Sequence, residues 1–155
     1  MNSERLCQLL SDTVVNVFEE TVFALMDRDV TSPPDDMAMV QSLIGFSGTY
    51  TGSLALSVEQ TGVAQLASDF LGSEASAVGG QSQHDVVGEL ANIIAGRLLE
   101  AWQPEATNYD IAVPTVQLVD HGHSRLVSEP KVCCVDLRTD AGLRVCAAIL
   151  MGVWP

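Results

Sequence analysis

Two apolar runs, residues 39–46 and 52–58, are separated by only five residues, Ser47-Gly48-Thr49-Tyr50-Thr51. A parallel crossover needs a dozen residues or more, so two strands joined this closely must lie antiparallel. In the second run Leu54, Leu56 and Val58 alternate with small residues, the pattern of a half-buried strand. The same reasoning applies near the C-terminus. Runs 131–138 and 143–153 are joined through Asp140-Ala141-Gly142, three turn-forming residues, and a further strand-like run spans 113–119. Such a chain builds an antiparallel sheet.

The remaining periodic segments read as helices. Over residues 4–26, Leu6, Leu9, Leu10, Thr13, Val14, Val17, Thr21 and Leu25 recur at the 3.6-residue period. The pattern stops in the acidic stretch 27–36, where Ser32-Pro33-Pro34 cannot continue a helix. A second helix is predicted over 59–71, with Val63, Leu66, Ala67, Phe70 and Leu71 on one side and Gly72 as its stop. Residues 73–83 are small and polar and predict a mobile loop. A longer helix follows over 84–103, ended by Pro104. The expected fold class is α/β, an antiparallel sheet with long helices packed on it, whose two halves weakly mirror each other. The 155 residues fit one domain spanning 1–155.

Composition narrows the partners. Lys and Arg total 7 against 20 Asp and Glu, a net charge of −13. So acidic a surface repels nucleic-acid phosphates and anionic membrane surfaces, which excludes nucleic-acid and peripheral-membrane readings. The N-terminus lacks the basic and apolar regions of a signal peptide. The longest apolar run, 145–154, is about 10 residues, half of what a spanning helix needs. A cytoplasmic location is expected. Of the four cysteines, Cys133 and Cys134 are adjacent and would point to opposite faces of a strand, and no CxxC spacing occurs. Cys7, Cys133, Cys134 and Cys146 are therefore expected to be reduced core thiols.

The helix 84–103 carries the one face that solubility does not explain. Val86, Leu90, Ile93, Ile94, Leu98 and Ala101 form the expected core contact. The opposite face holds Asp85, Glu89, Asn92, Gly96 and Gln103, with Glu89 and Asn92 three apart and therefore neighbours. Asn is a poor mid-helix residue because its side chain competes for backbone hydrogen bonds. Gly88 and Gly96 each cost about 1 kcal/mol relative to Ala in a helix interior. The gap at Gly96, one turn beyond Asn92, would let a partner's backbone approach closely. By spacing alone this is equally a solvated face with small residues packed against another helix.

The stretch Gly88-Glu89-Leu90-Ala91-Asn92-Ile93-Ile94-Ala95-Gly96-Arg97-Leu98 resembles the signature helix of the CheC/CheX/FliY family of bacterial chemotaxis phosphatases, Glu-x-x-Asn followed four residues later by Gly. Gly52-Ser53-Leu54-Ala55-Leu56-Ser57 is similar to that family's central strand, and Val113-Pro114-Thr115-Val116 to its Pro-Thr-Val strand entry. The resemblance is closest to the CheX-like branch. CheC-type members carry a second Glu-x-x-Asn in the first helix, whereas here Asp12 is followed at that spacing by Val15 and Glu20 by Phe23, with Asn16 out of step. The resemblance implies an α-β-β-α pseudo-repeat, one site per chain and a homodimer. It also implies an activity, hydrolysis of the aspartyl phosphate on a CheY-type receiver domain of a response regulator. Asn92 would orient the attacking water and Glu89 would anchor the receiver through its active-site lysine, with Asp85 and Gly96 flanking them as docking positions. No cofactor is expected on this chain, the Mg²⁺ being the receiver's. Phosphoryl transfer from an acyl phosphate is largely positioning and electrostatics, and an amide positions water without titrating.

Two alternatives remain open at this stage: a non-catalytic receiver-binding or scaffold domain of the same fold, and a structural homodimer joined through the helix face 85–103. Other constellations offer less. Asp120-His121-Gly122-His123 lacks a third placed ligand, His84 being the only other histidine, and reads as a polar turn. No GxSxG elbow, GxGxxG or GxxxxGK[ST] pattern occurs. Trp102 and Trp154 read as packing residues.

Overall fold

The computed structural model describes residues 3–28, 30, 34, 36–74, 79–102, 109–120 and 132–151. The chain runs α1 (Ser3–Val22), β1 (Met26–Asp27), β2 (Met39–Ser47), β3 (Gly52–Glu59), α2 (Val63–Leu71), α3 (Gly80–Trp102), β4 (Asp110–Ile111), β5 (Thr115–Val119), β6 (Cys133–Thr139) and β7 (Arg144–Met151). The strands form one antiparallel sheet in the order β1-β6-β7-β3-β2-β4, with β5 also paired to β2. The two hairpins expected from short connections are β2–β3 and β6–β7. They meet along the central pair β3–β7, in register from Gly52 opposite Met151 to Val58 opposite Val145.

The helices lie on one face of this sheet. Their apolar sides interlock with the alternate residues Val40, Ile44 and Phe46 of β2, Leu54, Leu56 and Val58 of β3, and Val145, Ala147 and Ile149 of β7. α3 rests on β2 and β3 while α1 rests on β6 and β7, which is the mirrored arrangement of the two halves. The other face is buried as well, which corrects the half-buried reading of β3. Ser53, Ala55 and Ser57 are as inaccessible as the leucines between them, and Ala55 joins Met39, Cys146, Ala148 and Leu150 in a second apolar cluster. Alternation of large with small residues thus marks two packed faces of unequal depth, not one packed and one wet.

Several predicted boundaries shift for identifiable reasons. α1 ends at Val22, not near 26, because Phe23 adopts a left-handed backbone with φ 59°. The chain then turns into β1, whose Met26 pairs with Thr139 of β6. The predicted helix 59–71 divides: Glu59 ends β3, Gln60–Gly62 is a 3₁₀ turn, and the α-helix begins at Val63. Gly72 closes it as expected, with φ 70°, and the Ser68 carbonyl accepts from Gly72 N and Ser73 N at 2.9 and 3.2 Å. Residues 80–83, assigned to a mobile loop, are the first turn of α3. The last two predicted strands are β6, which starts at Cys133 after the non-strand Val132, and β7; the predicted ends at Lys131 and Val153 lie outside the described residues.

The cysteine expectation is corrected. Cys7 of α1 and Cys133 of β6 form a disulfide, with Cα atoms 5.4 Å apart and a sequence separation of 126. Cys134 and Cys146 lie on the opposite face as thiols outside the disulfide. Burial, and secondarily the hydrogen bond from Cys146 Sγ to Asp136 Oδ1 at 2.9 Å, push the Cys146 thiol far above its ordinary pKa. Trp102 is a packing residue, stacked on Tyr50 with ring centroids 4.9 Å apart and edge-on to Phe46 at 6.0 Å. Trp154, His121 and His123 lie outside the described residues.

Candidate functional site

α3 is held on three sides. Its residues Val86, Val87, Leu90, Ala91, Ile94, Ala95, Leu98 and Leu99 are buried among α1, α2 and the strands β2, β3 and β5. This buried arc is wider than the single apolar face predicted, since Val87, Ala91, Ala95 and Leu99 join it. Ile93 is only half-buried and Ala101 is exposed. Gly88 belongs to the packed side: a Cβ there would stand 3.0 Å from Val116 Cγ2 and 3.5 Å from Pro114 Cγ, so the glycine allows β5 to approach the helix.

The outward side of α3 includes a narrow stripe. Asp85, Glu89, Asn92 and Gly96 fall at i, i+4, i+7 and i+11, within about 60° of helical arc and over about 16 Å of helix. Asp85, Glu89 and Asn92 are exposed and Gly96 is half-buried. The structure therefore brings together all four residues singled out from the sequence. Gln103, placed on the same face, lies outside the described residues.

The stripe is chemically simple. Asp85 Oδ1 accepts from Gln81 Nε2 at 2.9 Å. Among the described residues neither Glu89 nor Asn92 has a hydrogen-bond or ion-pair partner for its side chain, so both are available to a second molecule. Gly96 differs from Gly88: a Cβ at Gly96 would meet nothing within 4 Å among the described residues. Its lack of a side chain answers to no internal packing demand. Arg97, the next residue, is turned away and binds Glu20 of α1 through Nη1 to Oε2 at 2.6 Å. Among the described residues no three His, Cys, Asp or Glu side chains are grouped to hold a metal ion. The arrangement offers a carboxylate to bind a cation and, one turn on, an uncharged amide that can both donate and accept.

Beside the stripe, α2 contributes residues that the periodicity placed on its buried side. Val63, Leu66 and Ala67 are buried, Phe70 is half-buried, and Leu71 is 49% exposed. Leu71 is the last helical residue before Gly72, where the turn away from the core uncovers it. The adjacent Leu71-Gly72 pair in the sequence is the signal that marks this end-of-helix exposure.

The profile of the family described as Chemotaxis phosphatase CheX matches residues 40–137, more than half of the chain and inclusive of the whole stripe. This chain belongs to the CheX family. Among solved structures, it is similar to the chemotaxis protein CheX of Vibrio vulnificus, at 16% identity and a TM-score of 0.74, over 97% of this chain and 99% of that one. It is similar to the CheX–CheY–BeF₃–Mg²⁺ complex of Borrelia burgdorferi, at 15% identity and a TM-score of 0.67, over 93% of this chain and 96% of that one. A CheC-like superfamily protein of a Shewanella species matches at 20% identity and a TM-score of 0.66, over 96% and 99% of the two chains. These likenesses carry the fold. Among curated proteins none matches the sequence. No helix of the described residues is long and apolar enough to cross a membrane.

Proposed function

We propose that this CheX-family chain hydrolyses the aspartyl phosphate of a CheY-type receiver domain, with Asn92 orienting the attacking water and Glu89 anchoring the receiver. The observation that carries the reading is the stripe itself: two exposed, unengaged side chains of the right chemistry, one turn from a glycine with open space above it. α3 presents them on a helix fixed on three sides, so little ordering is needed when a partner arrives.

The chemistry asks little of this chain. An aspartyl phosphate is an activated acyl phosphate. Water attacks phosphorus in line, the bond between phosphorus and the aspartate oxygen breaks, and the products are a carboxylate and inorganic phosphate. The Mg²⁺ that neutralises charge on the phosphoryl oxygens belongs to the receiver. The Asn92 amide accepts a hydrogen bond from the water through its oxygen and donates to the phosphoryl group or the water through its nitrogen, which fixes the direction of attack. The Glu89 carboxylate pairs with the receiver's active-site lysine. Desolvated at the interface, such a charge-assisted bond is both strong and directional. The chain acts as a single unit over 1–155, in the cytoplasm and as a homodimer, each protomer with its own stripe.

The test follows the loss of phosphate from a phosphorylated CheY-type receiver of the same organism, with Mg²⁺, with and without substoichiometric amounts of the chain. Multiple turnovers by the wild type are expected, and Glu89→Ala should raise KM. Unaltered decay of a receiver that demonstrably binds would assign the chain to non-catalytic binding instead.

A further inference from the structure

A groove between α2 and α3 opens beside Glu89, with a volume of about 280 Å³ and a lining of Phe70, Leu71, Ser82, Asp85, Val86 and Glu89. Its floor and one wall are apolar, from Phe70, Leu71 and Val86. Its other wall carries Asp85 and Glu89, so the groove and the stripe share two residues. We propose that this groove seats an apolar side chain from the rim of the receiver's phosphorylation site, making Leu71 a determinant of receiver affinity; the inference rests on the function proposed above.

Three observations favour that occupant. Leu71 is 49% exposed although it ends a helix whose other leucine, Leu66, is buried. A single exposed leucine is ordinary, but one that walls a groove with a half-buried Phe and a Val is the form of an interface anchor. The ionisable groups among the described lining residues are both carboxylates, so the complementary surface carries a cation beside its apolar group. A second copy of this chain would bring the same two carboxylates against themselves, within a protein of net charge −13. A receiver whose lysine meets Glu89 supplies that cation and brings its neighbouring side chains to the groove.

The measurement is the affinity of a receiver held in its activated form by beryllofluoride and Mg²⁺, titrated against wild type, Leu71→Ala, Leu71→Asp and Leu71→Met, each checked by circular dichroism. Steady-state hydrolysis is measured in parallel. Leu71→Ala is expected to weaken binding about tenfold, with the loss in hydrolysis falling on KM and not on kcat, and Leu71→Asp to weaken it further. Leu71→Met, which keeps an apolar side chain of similar size, should restore most of the affinity. Wild-type affinity in Leu71→Asp would overturn the groove while leaving Asn92 and Glu89 in place. Loss of a dimer in Leu71→Asp at unchanged receiver affinity would assign the groove to self-association and also overturn it. Failure of the wild type to bind the receiver at all would remove both readings together.

Discussion

At the scale of single residues, the two helical glycines of α3 do opposite work. Gly88 lies against Val116 and Pro114 and is small because β5 comes close. Gly96 faces open space among the described residues, and the proposed docking of a receiver would use that clearance. This gives a prediction of opposed signs. Gly96→Ala should stabilise the fold by about 0.5–1 kcal/mol, the usual helix gain over glycine, in urea unfolding. The same substitution should weaken receiver binding, because the added methyl stands in the clearance beside Asn92. A stabilised variant with undiminished affinity would deny Gly96 its role in docking. The residues of the stripe were legible in the sequence because they break a helical rule: an Asn and a Gly mid-helix, on the polar side, with no charge pattern to explain them. Periodicity alone did not reveal Leu71, since it reports which side of a helix a residue occupies and not where the covering layer ends; the sequence signal was its neighbour Gly72. The packing role of Gly88 was not legible for a related reason. Its neighbours Pro114 and Val116 are distant in sequence, and only the folded strand brings them to it.

At the scale of elements, types were legible and ends were not. Each long periodic segment is a helix and each short apolar run a strand, because burial on one or two sides imposes those periods. Ends depend on local backbone and on tertiary pairing. α1 stops at Phe23, an aromatic residue with positive φ that composition does not flag, and the two-residue β1 exists only because β6 lies beside it. The turn from α1 into β1 is fastened by Arg28, whose Nη1 donates to Asp12 Oδ1 and to Ser11 Oγ, the latter at 3.2 Å. The Arg28 hydrogen bond, opposed by burial and helped by Gln8, holds the Asp12 carboxyl below its ordinary pKa. A carboxyl depressed in the folded state adds stability above its unfolded pKa and loses it as pH falls through the folded value. Both side chains are nearly half exposed, at 43% and 45%, so the contribution is that of a screened surface pair, below about 1 kcal/mol. Asp12→Asn should therefore cost at most that amount at pH 7. It should also flatten the acid limb of stability below about pH 4, as measured by denaturant unfolding at several pH values. An unchanged acid limb would show that the pair contributes nothing in solution.

At the scale of the whole molecule, the hairpins were legible from connection length, but the order of strands was not. Nothing in the local pattern says that β3 and β7, 85 or more residues apart, form the central pair of the sheet. The disulfide was hidden for the same reason. Cys7 and Cys133 meet only because α1 crosses β6, and the adjacent Cys134 gives no spacing signal. The bond closes most of the chain into one loop. Its removal by Cys7→Ser should lower unfolding free energy by about 2–4 kcal/mol under non-reducing conditions. The wild type should lose a similar amount when reductant is added, while Cys7→Ser should not respond to it. A reductant-insensitive wild type would mean that the thiols stay unpaired.

The proposed hydrolysis depends on one side chain, Asn92. Asn92 is exposed and makes no contact that holds the fold among the described residues, so Asn92→Ala should unfold at the wild-type denaturant midpoint. The decisive comparison is single-turnover loss of phosphate from a saturated complex of the CheY-type receiver with wild type and with Asn92→Ala. The expected result is binding within a few fold of wild type and decay no faster than that of the receiver alone. Decay at the wild-type rate from the Asn92→Ala complex would contradict the proposed function, which assigns orientation of the water to Asn92.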